Sequence, residues 1–142
     1  MLNKNNLLEA LQKNYPDLHF ISGKRFSFRP PKTIVVSPDE SERAPMLLFH
    51  ELGHALSNKY TYQTATERLK IEVAAWKEGK KAYLEFTKKI SLPSWDDEYV
   101  EDSLDTYRDW LHSQSKCKKC GLTMYQSSDK TWFCPFCDQF KT

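Results

Sequence analysis

The sequence predicts an α+β protein with a small antiparallel sheet, three main helices and a short cysteine-rich segment at its C-terminal end. Residues 18–36 are rich in alternating and β-branched positions, whereas longer segments after residue 42 repeat apolar residues at helical spacing. All four cysteines lie within residues 117–137. A chain of 142 residues has room for one core and a small appendage. We therefore expect one domain at residues 1–114 and a second at 115–142.

The predicted sheet comes from three short segments. Residues 18–22 and 25–28 flank Gly23-Lys24, which is typical of a hairpin, and Pro30-Pro31 then interrupts the pattern. Residues 33–36 (TIVV) are β-branched and form the third expected strand.

The helices follow from spacing and from breaker residues. A short helix is expected at residues 3–14, ahead of Pro16. A helix that is apolar on nearly all sides, and therefore buried, begins at Glu42 or Pro45 and ends near Asn58. Two more helices are expected at residues 66–90 and 97–112, the last with Val100, Leu104, Tyr107 and Leu111 on its apolar stripe.

Charge and hydropathy exclude several classes of protein. The 21 basic and 19 acidic side chains nearly balance, which is not typical of a dedicated nucleic-acid or membrane-surface protein. No apolar run is long enough to cross a bilayer, and the first residues lack the pattern of a signal peptide. We therefore expect a cytoplasmic protein without a membrane partner. In a reducing compartment, two Cys-x-x-Cys pairs indicate metal ligation rather than disulfides.

The first site motif is His50-Glu51-Leu52-Gly53-His54, an H-E-x-x-H pattern inside the apolar helix. Histidines four residues apart lie on one helix face and can share a metal ion. The glutamate beside the first histidine is placed to take a proton from water that zinc activates. The motif predicts a catalytic zinc on the two histidines with Glu51 as general base, because these polar groups would be costly to bury without partners.

A catalytic zinc needs a third protein ligand, and Glu72 is the best candidate. It shares one stripe of the next helix with Ala75, Trp76, Gly79, Tyr83 and Phe86. Glu67 and Glu78 compete, but they lie on more polar faces of the same helix. The alternative is that Glu72 pairs at the surface with a lysine such as Lys80.

The segments FHELGHALS and ERLKIEVAAW resemble the ImmA/IrrE group of small bacterial and phage metallopeptidases, over about residues 30–90. The resemblance implies a zincin-like core in which His50, His54 and Glu72 bind zinc and Glu51 is the base. It also implies that the strand at 33–36 is an edge along which an extended substrate docks. The implied substrate is a cytoplasmic protein such as a transcriptional repressor, in a phage or mobile-element setting.

SprT-like proteins are a second, more distant resemblance, since they also join H-E-x-x-H to a C-terminal zinc ribbon. They use a third histidine soon after the motif, and none stands between residues 55 and 111 here. Peptide hydrolysis also benefits from a donor that stabilises the developing oxyanion. The sequence leaves that residue open among Tyr60, Tyr62, Tyr83 and His112.

The second site motif is the pair of cysteine knuckles, Cys117-x-x-Cys120 and Cys134-x-x-Cys137. Thirteen residues separate them, enough for a small hairpin with its turn at 127–130. Four thiolates leave no open coordination position, so this second zinc is expected to be structural. The ribbon can also contact nucleic acid or protein, which gives the alternative function: a peptidase-like module that binds a partner without catalysis.

Overall fold

The computed structural model describes residues 4–137 and 139–141, and its elements confirm the α+β class. Helices within this part of the chain are α1 (Lys4–Asn14), α2 (Ala44–Ser57), α3 (Ala65–Phe86) and α4 (Asp97–Ser115). The strands are β1 (His19–Ser22), β2 (Ser27–Arg29), β3 (Thr33–Val36), β4 (Tyr125–Gln126), β5 (Trp132–Cys134) and β6 (Gln139–Lys141). Asn3, predicted to begin α1, lies outside the described residues.

The first sheet is mixed, and the hairpin predicted around Gly23-Lys24 is wrong. The strand order is β1-β3-β2, with β1 parallel to β3 and β2 antiparallel to it. Gly23 instead prolongs the pairing of β1 with β3, because its N–H donates to the Val36 carbonyl at 3.0 Å. A Cβ on Gly23 would lie 2.3 Å from Val35 Cγ1, so glycine fits this close contact. The hairpin is formed by β2 and β3, across residues 30–32, where the Pro30-Pro31 peptide is cis.

This strand order also overturns the expectation that Thr33–Val36 is an edge. β3 is the central strand of its sheet, and Ile34, Val35 and Val36 are buried. A run of β-branched residues buried on both faces is typical of a central strand. The edges are β1 and β2.

Helix α2 occupies nearly the predicted range. Pro45 stands in its first turn, where a missing N–H is tolerated, and Asn58 ends it in the left-handed conformation with φ 57°. Helix α3 ends four residues before the predicted Ile90, since the N–H of Lys89 donates to the Phe86 carbonyl three residues back in a tightened last turn. Helix α4 runs three residues past the predicted His112.

The chain forms two compact units. One comprises Met1–Tyr60 with Ala74–Asp96, and its buried residues include Leu48, Phe49 and Leu52 of α2. The other comprises Thr61–Val73 with Asp97–Thr142. The predicted domain division at residues 114 and 115 stays a prediction, and its outer limits at residues 1 and 142 lie outside the described residues.

The second unit contains the predicted ribbon. Strands β4, β5 and β6 form an antiparallel sheet in that order, and β4 and β5 make the expected hairpin. Its buried cluster consists of Ala65, Cys117, Met124, Trp132 and Cys134. None of the helices in the described ranges combines the length and hydropathy that a bilayer span requires.

Candidate metal centres

Helix α2 carries both histidines of the first motif on one face. His50 and His54 are one turn apart, and their ring centroids lie 4.7 Å from each other with the planes at 67°. Both side chains are partly buried, as is that of Glu51. One helical turn thus presents two imidazoles at a spacing that can serve a single ion.

A backbone contact between two glycines brings α3 against α2. A Cβ built on Gly53 would lie 1.8 Å from the Ala75 carbonyl oxygen and 2.8 Å from the Gly79 nitrogen. A Cβ on Gly79 would lie 2.4 Å from the Phe49 carbonyl oxygen. The two helices therefore touch along their backbones, and no side chain larger than hydrogen fits at either position. This contact sets the position of α3 beside the histidines.

Aromatic rings support the two imidazoles from different elements. The Trp76 ring of α3 stacks on His50 with centroids 4.0 Å apart and planes at 22°. The Phe28 ring of edge strand β2 lies parallel to that of His54, at 6.1 Å and 4°. Flat contacts of this kind limit ring rotation, so both imidazoles are held before any ion binds.

Glu72 lies one turn before Trp76 on the continuous helix α3. His50, His54 and Glu72 each offer a ligand atom, and these atoms all lie within 4.8 Å of one another. Among the other candidates, Glu67 accepts a hydrogen bond from the Gln63 N–H at 3.2 Å. Glu78 pairs with Lys81 at 3.6 Å.

The donor chemistry of this group fits zinc. Two imidazole nitrogens and one carboxylate oxygen are the ligands of many catalytic zinc sites, in which a fourth position stays open. The partly buried surroundings favour an ion that the three groups share. That His50, His54 and Glu72 act as zinc ligands, with Glu51 as base, stays a prediction.

The four cysteines form the second group that could hold a metal. All are free thiols, with the sulfurs of Cys117 and Cys137 3.9 Å apart and those of Cys120 and Cys134 3.6 Å apart. Four thiolates at 2.3 Å around a tetrahedral zinc are about 3.8 Å from one another. The spacing of the sulfurs therefore fits zinc.

Backbone geometry prepares the first knuckle for this role. Gly121 has φ 78°, and its N–H donates to the Cys117 carbonyl at 2.8 Å. The N–H groups of Cys120 and Lys119 donate to the Cys117 sulfur and hold the pKa of that thiol well below its usual range. A thiolate, the form that binds metal, is thus favoured at Cys117.

The candidates for the oxyanion donor have varied surroundings. The Tyr83 hydroxyl donates to the Pro93 carbonyl at 2.6 Å, and Tyr60 donates to Ala55 and Asn58. Tyr62 contacts two cations, and His112 is exposed on α4. None of these four is among the residues that form the metal groups. The oxyanion donor therefore stays open.

The sequence did not indicate the hydrogen bonds of Tyr107. It was expected only on the apolar stripe of α4, yet its hydroxyl is hydrogen-bonded to Glu72 and Arg68. No short-range pattern connects residues 35 positions apart, so this contact needed the tertiary structure.

Compared with protein-family models, with curated proteins and with solved structures, the chain finds no match. Functional inference therefore begins from its own geometry.

Proposed function

We propose that this chain is a zinc-dependent metalloendopeptidase. The observation that carries the proposal is the grouping of His50, His54 and Glu72, whose ligand atoms lie within 4.8 Å of one another. Glu51 directly follows the first of these ligands on the same helix. Two imidazoles, a carboxylate and an adjacent second carboxylate are the parts that metal-assisted amide hydrolysis requires.

In this proposal His50, His54 and Glu72 hold the ion. A zinc ion bound there supplies Lewis-acid activation of water and of the scissile carbonyl. Glu51 accepts the proton of the attacking water and later delivers it to the leaving amine. Trp76 and Phe28 keep the imidazoles oriented and exclude bulk water from one side of each ring.

The proposed substrate is an extended segment of a cytoplasmic protein. Strand β2 is an edge strand that pairs only with β3 among the described residues, and its Phe28 stacks against His54. A peptide added along Ser27–Arg29 would therefore run beside the metal group. The resemblance to the ImmA/IrrE group makes a repressor or another regulator the substrate class that we propose. Two Cys-x-x-Cys pairs grouped as in a metal site are typical of proteins from a reducing compartment.

The decisive variant is Glu51→Gln, assayed on a peptide library prepared from a digested bacterial proteome. We expect cleavage to fall by at least a hundredfold while zinc content stays at two per chain, because the ligands remain and the base is gone. Glu78→Gln makes the same chemical change at the glutamate that pairs with Lys81, and should cleave like wild type. Undiminished turnover by Glu51→Gln would remove Glu51 from the mechanism.

The metal group is tested separately by Glu72→Ala. Metal analysis should find one zinc per chain instead of two, because two imidazoles alone bind zinc weakly. Two zinc ions retained in this variant, or a single zinc ion in the wild type, would contradict the proposed centre.

The second zinc is proposed to be structural. The ribbon is too small to fold on its apolar core alone, and its buried cluster includes two of the four cysteines. Metal binding there would supply the folding free energy that the cluster lacks.

Exposed side chains on the ribbon favour a second candidate function, a binding module that contacts nucleic acid. Leu122, Tyr125 and Phe136 are 48%, 56% and 74% exposed, and Lys118 and Lys119 are exposed in the first knuckle. Aromatic rings beside lysines can stack on bases and contact phosphates. Binding to generic single-stranded DNA that weakens steeply with salt, together with no peptide cleavage, would favour this alternative. The side chain of Phe140, a further aromatic residue of the ribbon, lies outside the described residues.

A further inference from the structure

Tyr107 lies on the inward side of α4, on the stripe that includes buried Val100 and Leu104. Its hydroxyl is hydrogen-bonded to the side chains of both Glu72 and Arg68. Arg68 and Glu72 are four residues apart on α3, so they lie on one face of that helix. A single hydroxyl of α4 therefore joins two neighbouring side chains of α3.

The chemistry of the three groups fixes the direction of these hydrogen bonds. A guanidinium only donates and an ionised carboxylate only accepts. The Tyr107 oxygen must therefore accept from Arg68, and its proton must point to Glu72. A tyrosine hydroxyl is ordinarily protonated at neutral pH. The hydroxyl thus stays a donor throughout the neutral pH range.

Three aromatic rings hold Arg68 in place. Its guanidinium carbon lies 5.4 Å from the centroid of Tyr107, 5.7 Å from that of Tyr62 and 5.8 Å from that of Trp110. Each distance is within the range of a cation–π contact. Contacts on several sides restrict its motion more than that of an ordinary surface arginine. It therefore presents its N–H groups to Tyr107 in a fixed orientation.

We infer that Tyr107, oriented by Arg68, is a positioning residue that holds the Glu72 carboxylate ready to bind metal. The inference deepens the proposed function and depends on it, because it assigns Glu72 to the metal. A carboxylate on a three-bond side chain otherwise samples several rotamers, and binding has to select one of them. The hydroxyl removes that freedom beforehand.

Hydrogen-bond partners behind a ligand typically change metal affinity by about 10- to 100-fold. Tyr107→Phe removes only the hydroxyl and leaves the ring beside Arg68. We expect the dissociation constant of the non-ribbon metal to rise about tenfold. Tyr125→Phe is the matched control, since it removes a hydroxyl from a tyrosine that is 56% exposed in the ribbon.

The experiment uses the full chain with one equivalent of Zn²⁺ bound first and Co²⁺ titrated afterwards. Cobalt bound to thiolates absorbs strongly in the near ultraviolet. If no such absorption band develops during the titration, the ribbon has kept its zinc. The visible spectrum of Co²⁺ then reports the geometry of the second site, and a chelator competition gives its affinity. Thermal unfolding of the protein holding only the ribbon zinc measures any purely structural effect.

The inference is supported if Tyr107→Phe binds cobalt at the second site about tenfold more weakly and with an altered spectrum, while Tyr125→Phe behaves like wild type. Equal affinity and equal spectra in Tyr107→Phe and wild type would overturn the positioning role and leave the proposed function standing. A wild-type chain that binds no metal beyond the ribbon would overturn both. Should Tyr107→Phe fold poorly, Arg68→Lys keeps a cation among the rings, loses the planar fork, and should weaken the second site severalfold.

Discussion

The contact between α2 and α3 is tested most directly by Gly53→Ala, which adds one methyl group. The new Cβ would lie 1.8 Å from the Ala75 carbonyl oxygen, whereas ordinary contact begins at 3.4 Å. The opposing atom is backbone, so no side chain can rotate to make room. The two helices must therefore separate locally by well over 1 Å, or tilt by an equivalent amount.

Two opposing effects decide the magnitude. Overpacking by a methylene-sized group costs typically about 1–3 kcal/mol. Replacing glycine by alanine inside a helix stabilises the folded state by about 1 kcal/mol through helix propensity. The difference is about 0–2 kcal/mol, and the backbone obstacle favours its upper end. We expect a net destabilisation of about 2 kcal/mol, together with weaker zinc binding, because Trp76 moves with α3 while His50 stays on α2.

The assay is thermal unfolding at fixed free zinc, combined with chelator competition for zinc. A Cβ on Gly79 would lie 2.4 Å from its nearest backbone atom, compared with 1.8 Å for Gly53. Gly79→Ala should therefore reduce the free energy of unfolding less than Gly53→Ala does. Val73→Ala is the control for helix propensity, since Val73 is 40% exposed on α3 and its change should have a small effect. A Gly53→Ala protein as stable as wild type, with the same zinc affinity, would refute the argument from close backbone approach.

Three further predictions concern other parts of the chain. Cys134→Ser should lose one zinc per chain and loosen the ribbon, and metal analysis with proteolysis of the ribbon checks this. Because burial raises the pKa of Tyr83 to about 12, its neutral form is favoured in the folded state, and stability should fall as pH rises from 10 through 12. Tyr83→Phe should show a smaller alkaline fall, because the contribution of Tyr83 is gone, and should lose about 1 kcal/mol at neutral pH with its hydrogen bond to Pro93. Parallel plots of melting temperature against pH for the two proteins would contradict this. Arg43→Gln should change the free energy of unfolding by under about 0.5 kcal/mol in urea titrations, because its ion pair with Asp96 spans 3.5 Å between half-exposed groups. A larger loss of stability would contradict this and indicate a wider network of charged groups around Arg43.

Local signals predicted the helices and the ribbon hairpin well. Helix α2 has an apolar surface on nearly all sides and Pro45 in its first turn, so both its type and its limits were readable. The stripe that includes Trp76 and Gly79 correctly marked the face of α3 that packs inward. The end of α3 was misplaced by four residues, because Ile90 continues the apolar pattern after the helical hydrogen bonds have tightened at Phe86.

Sheet topology could not be predicted in the same way. Gly23-Lys24 between two alternating segments is typical of a hairpin turn. A glycine that is needed for close contact with Val35 cannot be distinguished from a turn glycine in the sequence. The pairing of β1 with β3 is decided by burial of Ile34 and Val35 between neighbours, which is a long-range effect. The contact of Tyr107 with Glu72 is of the same kind, since it joins two helices that no local motif relates.

The stack of Trp76 on His50 has a consequence for following the protein in solution. An indole 4.0 Å from an imidazole is sensitive to any positive charge that this ring acquires. Ion binding at the histidine should therefore change the emission of a fluorophore that the chain already contains. Occupancy of the centre can then be watched in real time without a label, and Trp76→Phe identifies which of the four tryptophans reports it.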